Sequence, residues 1–356
     1  PSSGSKDTRG SVRPWAAQTL PIHKILPEIL ESLNTRQNLV LQAPTGAGKT
    51  TVVPLALLAQ GIEGKILVLQ PRRITCITVA RRMAQLWGDP LGETVGYRIR
   101  HESVVSNRTR IEVVTEGILV RMLASDPNLE GVACVFFDEF HERSIDSDMS
   151  FSLCLAAQRA RHLPVRLVVM SATFGSLGER VKDLLGNPEV INSQGRSFPV
   201  EVFYRGLVNL RKWEPSGPMK FAETVAKTIK MAMENHPGDC LVFLPGEREI
   251  MYTWIALNNM GIGDGVRPKN LVEWADRLIN KKVDLSKNVQ VATLYGNMEQ
   301  REQDEVLQAP PDGWRKVILA TPIAESSLTV PTVRIVVDSG LRRTKSEDAE
   351  SCMSAM

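Results

Sequence analysis

The chain has 356 residues, 43% hydrophobic and 23% charged, a globular balance that excludes a disordered or fibrous protein and a length that predicts two domains. No apolar run approaches the roughly 18 residues needed to cross a bilayer, and aromatics at 5% argue against binding single strands chiefly by base stacking. Net charge is only +3, so no general polyelectrolyte binder is indicated, yet residues 1–100 hold 13 Lys/Arg against 6 Asp/Glu. That excess suits a phosphate-rich partner, or a solvated basic face.

In chain order, the Ser-rich residues 1–14 predict a flexible segment and carry no apolar core of a secretory signal. Short Val/Ile/Leu runs follow at Asn38 to Gln42, Lys65 to Gln70, Ile111 to Thr115, Ala133 to Asp138 and Arg166 to Ser171. Runs of this length suit strands buried on both faces of a parallel sheet. Helical patterns at Thr51 to Ala59 and Ile74 to Trp87 lie between them. The expectation is a doubly wound α/β domain over residues 15–198. After an extended segment, Phe198 to Tyr204, a second α/β domain is expected over 199–342. Its elements are a helix at Phe221 to Asn235 and strands at Cys240 to Leu244, Val289 to Leu294, Lys316 to Ala320 and Val333 to Val337, with a partly helical insertion at Gly261 to Lys287. Residues 343–356 read as a polar tail, and the chain as a fragment. The five cysteines have no paired spacing, which points to a reducing compartment, cytoplasmic or within an organelle, rather than to disulfides or a zinc cluster.

The strongest chemical signal is Ala43-Pro-Thr-Gly-Ala-Gly-Lys-Thr50, directly after a strand and before a helix. Glycines let backbone N–H groups close on phosphates, the lysine reaches β and γ phosphates, and the hydroxyl holds Mg²⁺. Gly46, Gly48, Lys49 and Thr50 meet those needs, although Ala43 stands where the strict pattern has its first glycine. Val135-Phe-Phe-Asp-Glu139 is an apolar strand ending in two acids. With a phosphate loop upstream, Asp138 suits Mg²⁺ and Glu139 suits activation of water; without one, the pair would simply cap the next helix. Gln70-Pro-Arg-Arg73 ends a strand with two guanidinium groups that match phosphate, or that serve as helix-surface charges.

Taken in order, these motifs resemble DEAH-box helicases of superfamily 2, with Asp138-Glu-Phe-His141 in the signature position. The flanking words GYRIR (96–100), TEGIL (115–119), HERS (141–144) and GRSFPV (195–200) resemble the HrpB-type branch. The resemblance runs from about Pro21 to Arg342 and implies two RecA-like P-loop NTPase domains with parallel sheets, the second incomplete at its C-terminus. It implies that Thr45, Gly46, Ala47, Gly48, Lys49 and Thr50 bind the phosphates of ATP or another NTP, that Thr50 and Asp138 hold Mg²⁺, and that Glu139 activates water. It further implies that His141 links the nucleotide site to the second domain, and that Arg72, Arg73, Thr115, Gly117 and Thr321 contact nucleic acid. Ser171 and Thr173 would couple hydrolysis to strand movement.

Two departures matter. Pro322 replaces the usual Asn in Ala320-Thr-Pro-Ile-Ala-Glu-Ser-Ser-Leu-Thr329, removing a backbone donor and an amide. The arginine-rich segment that supplies the family's finger is not in the 356 residues. The resemblance therefore implies an ATP-dependent RNA helicase moving along single-stranded nucleic acid. The rivals are a catalytically impaired RNA-binding or assembly protein, a DNA helicase, and a P-loop metabolic kinase. His23 and Arg36 have no assignable role.

Overall fold

The computed structural model describes residues 14–17, 19–35, 38–161, 165–173, 175–193, 199–205, 217–263, 288–296, 298–322, 330, 332–343, 346–347 and 354–355. The chain divides into two compact units, Pro1–Val200 and Glu201–Met356.

The first unit opens with a short helix α1 (Pro14–Ala17), a 3-10 turn (Pro21–Lys24) and α2 (Leu26–Thr35). It continues with β1 (Asn38–Gln42), α3 (Lys49–Ala59), β2 (Lys65–Gln70), α4 (Arg73–Trp87), β3 (Val95–Ile99) and β4 (Glu102–Val104). Then come β5 (Ile111–Thr115), α5 (Glu116–Ser125), β6 (Val132–Phe137), a 3-10 turn (Phe140–Glu142), α6 (Ile145–Arg161), β7 (Arg166–Ser171), α7 (Gly175–Leu184) and β8 (Glu189–Asn192). The strands form one sheet in the order β4-β3-β5-β2-β6-β7-β1-β8. Every pairing is parallel except β3 with β4.

Alternation along each strand splits the core between the two sheet faces. Leu39 and Leu41 of β1, Ile66 and Val68 of β2 and Phe136 of β6 belong to one apolar cluster. Val40, Leu67, Leu69, Val135 and Phe137 belong to the other. Each such side chain contributes roughly 1.5–3 kcal/mol on full burial, which is why these runs are apolar without interruption.

All five expected strands of this unit are present. Three more, β3, β4 and β8, were not expected. Two of them, β4 and β8, are edge strands of three and four residues, and β3 mixes Gly96 and Arg98 with apolar residues, so none carries a continuous apolar run. Helix α3 begins at Lys49, two residues before the expected Thr51, because the lysine and threonine of the loop form its first turn.

The second unit holds α8 (Gly217–Asn235), β9 (Asp239–Phe243), α9 (Glu247–Asn259), β10 (Val289–Leu294), α10 (Gln300–Leu307), β11 (Arg315–Ala320) and β12 (Val333–Asp338). Its parallel sheet has the order β10-β11-β9-β12. A two-residue antiparallel pair, β13 (Ser346–Glu347) and β14 (Ser354–Ala355), lies in the polar tail. Residues 199–205 run without helix or strand, with Val202 and Tyr204 exposed. Most of the expected insertion, 264–287, lies outside the described residues, as do 323–329 of the segment from Ala320 to Thr329.

Candidate active site

The loop between β1 and α3 is anchored to the sheet and braced from the N-terminal side. The Ala43 N–H donates to the Ser171 carbonyl of β7 at 3.0 Å, and the Ile22 N–H donates to the Ala47 carbonyl at 3.1 Å. Gly46 and Gly48 both have positive φ, 78° and 94°, where an L side chain is strained. A Cβ on Gly48 would also lie 2.9 Å from Leu20 Cδ1 and 3.1 Å from Ile22 Cγ2, whereas one on Gly46 would meet nothing within 4 Å. The loop is thus packed below Gly48 and open above Gly46, and Thr45 and Gly46 are exposed. His23 holds this brace: its Nε2 lies 3.0 Å from the Trp15 carbonyl, so Nε2 carries the proton, and Nδ1 accepts from the Leu20 N–H at 3.3 Å. Arg36 lies outside the described residues.

At the C-terminal ends of β2, β6 and β7, polar side chains from four segments close into one network. Lys49 Nζ donates to Glu139 Oε1 at 2.8 Å, with side chains only 4% and 6% exposed. Asp138 Oδ2 accepts from Thr50 Oγ1 at 2.6 Å and from Gln70 Nε2 at 2.7 Å, while Oδ1 accepts from the Glu139 N–H at 3.0 Å. Glu139 is left-handed, with φ 47°, a conformation that costs a non-glycine residue of order 1–3 kcal/mol. It turns the chain sharply so that both carboxylates face Lys49 and Thr50. Burial, with Asp138 beside it, raises the Glu139 carboxyl above its ordinary value, against the pull of Lys49 and His141.

His141 connects this network to the end of β7. Its Nδ1 lies 3.4 Å from Glu139 Oε2 and 3.1 Å from Ser171 Oγ. Ser171 Oγ donates to the Thr173 carbonyl at 2.5 Å and accepts from the Thr173 N–H at 3.1 Å. With the serine proton committed to Thr173, the shared proton belongs on His141 Nδ1.

The flank read as a nucleic-acid contact adjoins the network directly. Arg72 is the N-cap residue of α4, and its Nη2 lies 3.4 Å from Glu142 Oε2, both side chains about one-fifth exposed (23% and 22%). Arg73 is exposed at the start of α4. Thr115 stands opposite Gln70 in the β2–β5 register, and a Cβ on Gly117 would sit 3.4 Å from Asp146 Oδ2. Among the described residues no hydrogen bond joins the Thr115 side chain to the Lys49–Asp138 network; between Thr115 and Gly117, Glu116 accepts from Ser144 Oγ at 2.5 Å. Thr321 belongs to the second unit, where it lines an open cleft of about 490 Å³ with Gly246, Arg248, Tyr295 and Arg343. Arg343 Nη2 donates there to the buried Glu249 carboxylate at 3.1 Å.

The structure therefore gathers Lys49, Thr50, Asp138, Glu139, His141, Ser171 and Thr173, and sets Arg72 beside them. Sequence reasoning had not assigned site roles to Gln70 or Glu142, nor found the Leu20–His23 brace. Gln70 and Glu142 lie inside the quoted motifs, but their partners are distant in sequence: Asp138 just after β6 and Arg72 at the N-cap of α4.

A DEAD/DEAH box helicase family profile matches residues 22–180, and a helicase conserved C-terminal domain profile matches residues 265–352. The chain carries both domains of a DEAD/DEAH box helicase. It is 38% identical to the ATP-dependent RNA helicase HrpB of Escherichia coli over 326 residues, covering 91% of this chain and 36% of that protein. It is 32% identical to the human ATP-dependent RNA helicase DHX33 over 347 residues, covering 95% of this chain and 45% of that one. The crystal structure of the Escherichia coli DEAH/RHA helicase HrpB superposes with a TM-score of 0.77 at 37% identity, over 94% of this chain and 39% of that chain. The chain thus spans between about a third and a half of the length of these relatives. Among its described residues no helix is long and apolar enough to cross a membrane.

Proposed function

We propose that this helicase chain binds ATP, or another NTP, with Mg²⁺ at the Lys49 loop, hydrolyses it, and couples hydrolysis to movement along single-stranded RNA. The observation that carries the reading is the joined network of Lys49, Thr50, Asp138, Glu139 and Ser171, whose donors and acceptors suit a metal–triphosphate. Thr50 Oγ1 and Asp138 Oδ2 are hard oxygen donors 2.6 Å apart, the type that Mg²⁺ takes. The loop opens above Gly46, and the N-terminus of α3 behind it favours anions. When bound, Mg²⁺ neutralises charge on the phosphate oxygens.

The chain's own residues supply the remaining chemistry. Lys49 leaves Glu139 to meet phosphate, which frees the Glu139 carboxylate to take the proton of an attacking water. Its raised proton affinity suits that task. His141 Nδ1 ties any movement of Glu139 to Ser171 and Thr173, the coupling pair at the end of β7. Arg72 and Arg73, with Thr115 and Gly117, offer phosphate contacts along the same sheet edge, and Thr321 offers one from the second unit. A reducing compartment, cytoplasmic or organellar, is supported by Cys76, Cys134, Cys154 and Cys240, all free and buried; Cys352 lies outside the described residues.

The test is nucleotide binding and hydrolysis by the 356-residue chain with and without single-stranded RNA. RNA-stimulated turnover supports the proposal. Binding without turnover favours the impaired assembly protein, and equal stimulation by a DNA strand of the same sequence removes the RNA preference.

A further inference from the structure

The amide of Gln70 has a position that the proposed chemistry has not used. Gln70 ends β2 and is 0% exposed. Its Nε2 donates to Asp138 Oδ2 at 2.7 Å, the same oxygen that accepts from Thr50 Oγ1. A carboxylate only accepts hydrogen bonds, so the amide's orientation is fixed with nitrogen toward Asp138. Its other end, Oε1, is then buried with no hydrogen-bond partner among the described residues.

An amide that served only to pin Asp138 would be expected to have its carbonyl satisfied within the chain, because a buried acceptor left unpaired costs about 1–3 kcal/mol. A buried acceptor beside a paired Thr–Asp oxygen set is instead where a donor arrives with the ligand. A divalent cation carries such donors in its hydration water, since Mg²⁺ dehydrates reluctantly and usually keeps several waters. An amide, with its donor and acceptor on separate atoms, meets both demands at once. A glutamate would repel Asp138, and an apolar side chain would remove one of Asp138's three donors.

We infer that Gln70 is a positioning residue of the cation site: its nitrogen orients the Asp138 carboxylate, and its oxygen accepts from the cation's hydration shell. The inference rests on the proposed nucleotide and Mg²⁺ binding at the Lys49 loop. It also places the cation site two residues from Arg72 along one backbone, so the segment read as a nucleic-acid contact begins at a residue that reads the cation.

The experiment compares the unaltered 356-residue chain with Gln70→Met, which keeps length and volume while deleting donor and acceptor. Affinity for a fluorescent non-hydrolysable ATP analogue is measured in excess EDTA, and Mn²⁺ binding to the analogue-loaded chain is titrated by EPR. The expected result is EDTA affinity within about twofold of the unaltered chain and Mn²⁺ affinity weakened by about 10–100-fold, the usual cost of removing an outer-shell partner. Unchanged Mn²⁺ affinity overturns the inference. Equal losses with and without metal also overturn it, because they assign Gln70 to the local fold alone. Should Gln70→Met fail to fold, Gln70→Asn, which withdraws the amide by one methylene, carries the same two readouts. If the unaltered chain binds no analogue under either condition, the proposed function itself falls, an outcome distinct from an unchanged Mn²⁺ titration.

Discussion

Replacing Glu139 with Gln separates binding from chemistry at this site. Glu139 holds Lys49 at 2.8 Å in a pair almost wholly removed from solvent. Deleting one partner of a buried pair costs about 3–5 kcal/mol, but the glutamine oxygen still accepts from the ammonium, and a hydrogen bond to a charged group is worth about 1.5–3 kcal/mol. Relief of repulsion with Asp138 also offsets part of the loss. Stability without nucleotide should therefore fall by only about 1–2 kcal/mol. Nucleotide affinity should hold or rise, because phosphate no longer competes with a carboxylate for Lys49. Turnover is another matter. A positioned general base contributes about 10²–10⁴-fold, equivalent to about 2.7–5.4 kcal/mol of barrier at 1.36 kcal/mol per tenfold. The measurements are a thermal melt, a titration with a fluorescent ATP analogue, and phosphate release under saturating ATP and RNA. Turnover within about tenfold of the unaltered chain would refute the assignment of Glu139 as the base. A collapse of binding together with turnover would show that its role is structural.

Four further outcomes follow from the geometry. Lys49→Ala leaves the Glu139 carboxylate buried without its cation and should lower analogue affinity by at least about tenfold, a loss of about 1.4 kcal/mol; unchanged affinity in the same titration would contradict the phosphate-loop reading. Gly48→Ala should destabilise the unit by about 2–5 kcal/mol, combining a left-handed penalty with the clash against Leu20 and Ile22, whereas Gly46→Ala, with open space around it, should cost only about 1–2 kcal/mol in chemical denaturation. Arg72→Ala combined with Arg73→Ala should weaken RNA binding and reduce the salt slope by about 1.4, at roughly 0.7 per phosphate contact on a single strand; an unchanged slope would mark both as surface charges. Glu112 is buried, which alone would raise its carboxyl, but hydrogen bonds from Arg98 at 2.6 Å and Lys65 at 2.5 Å carry it below its ordinary value. Its stabilisation is present above pH 4.5 and is lost as pH falls through the depressed value. Because both partners are more than a third exposed, Glu112→Gln should cost only about 1–3 kcal/mol at pH 7. That difference should shrink on acidification in melts across the pH range.

Most of the candidate site was legible from the sequence because it resides in short contiguous motifs. A glycine-rich loop needs its glycines, lysine and hydroxyl within six residues, and Gly46 and Gly48 do take the left-handed conformations that such a loop demands. Central strands such as Lys65–Gln70 were equally legible, since burial on both faces requires an unbroken apolar run. Edge strands were not. Glu102–Val104 and Glu189–Asn192 are short, with exposed residues in both, so no periodic signal distinguishes them from loop.

Sequence by itself thus determined the fold class, and it singled out the residues proposed here to carry nucleotide chemistry. Tertiary structure alone decided which of those residues touch. Gln70 and Asp138 are 68 positions apart, and Arg72 and Glu142 are 70 apart; they meet because β2 pairs with β6. His141 meets Ser171 across 30 residues because the sheet brings the ends of β6 and β7 together. The N-terminal brace is of the same kind, since Leu20 and Ile22 look like ordinary apolar residues until the fold sets them under Gly48. Strand order is a global property of the sheet, and no local pattern of side chains encodes which carboxylate a given amide will find.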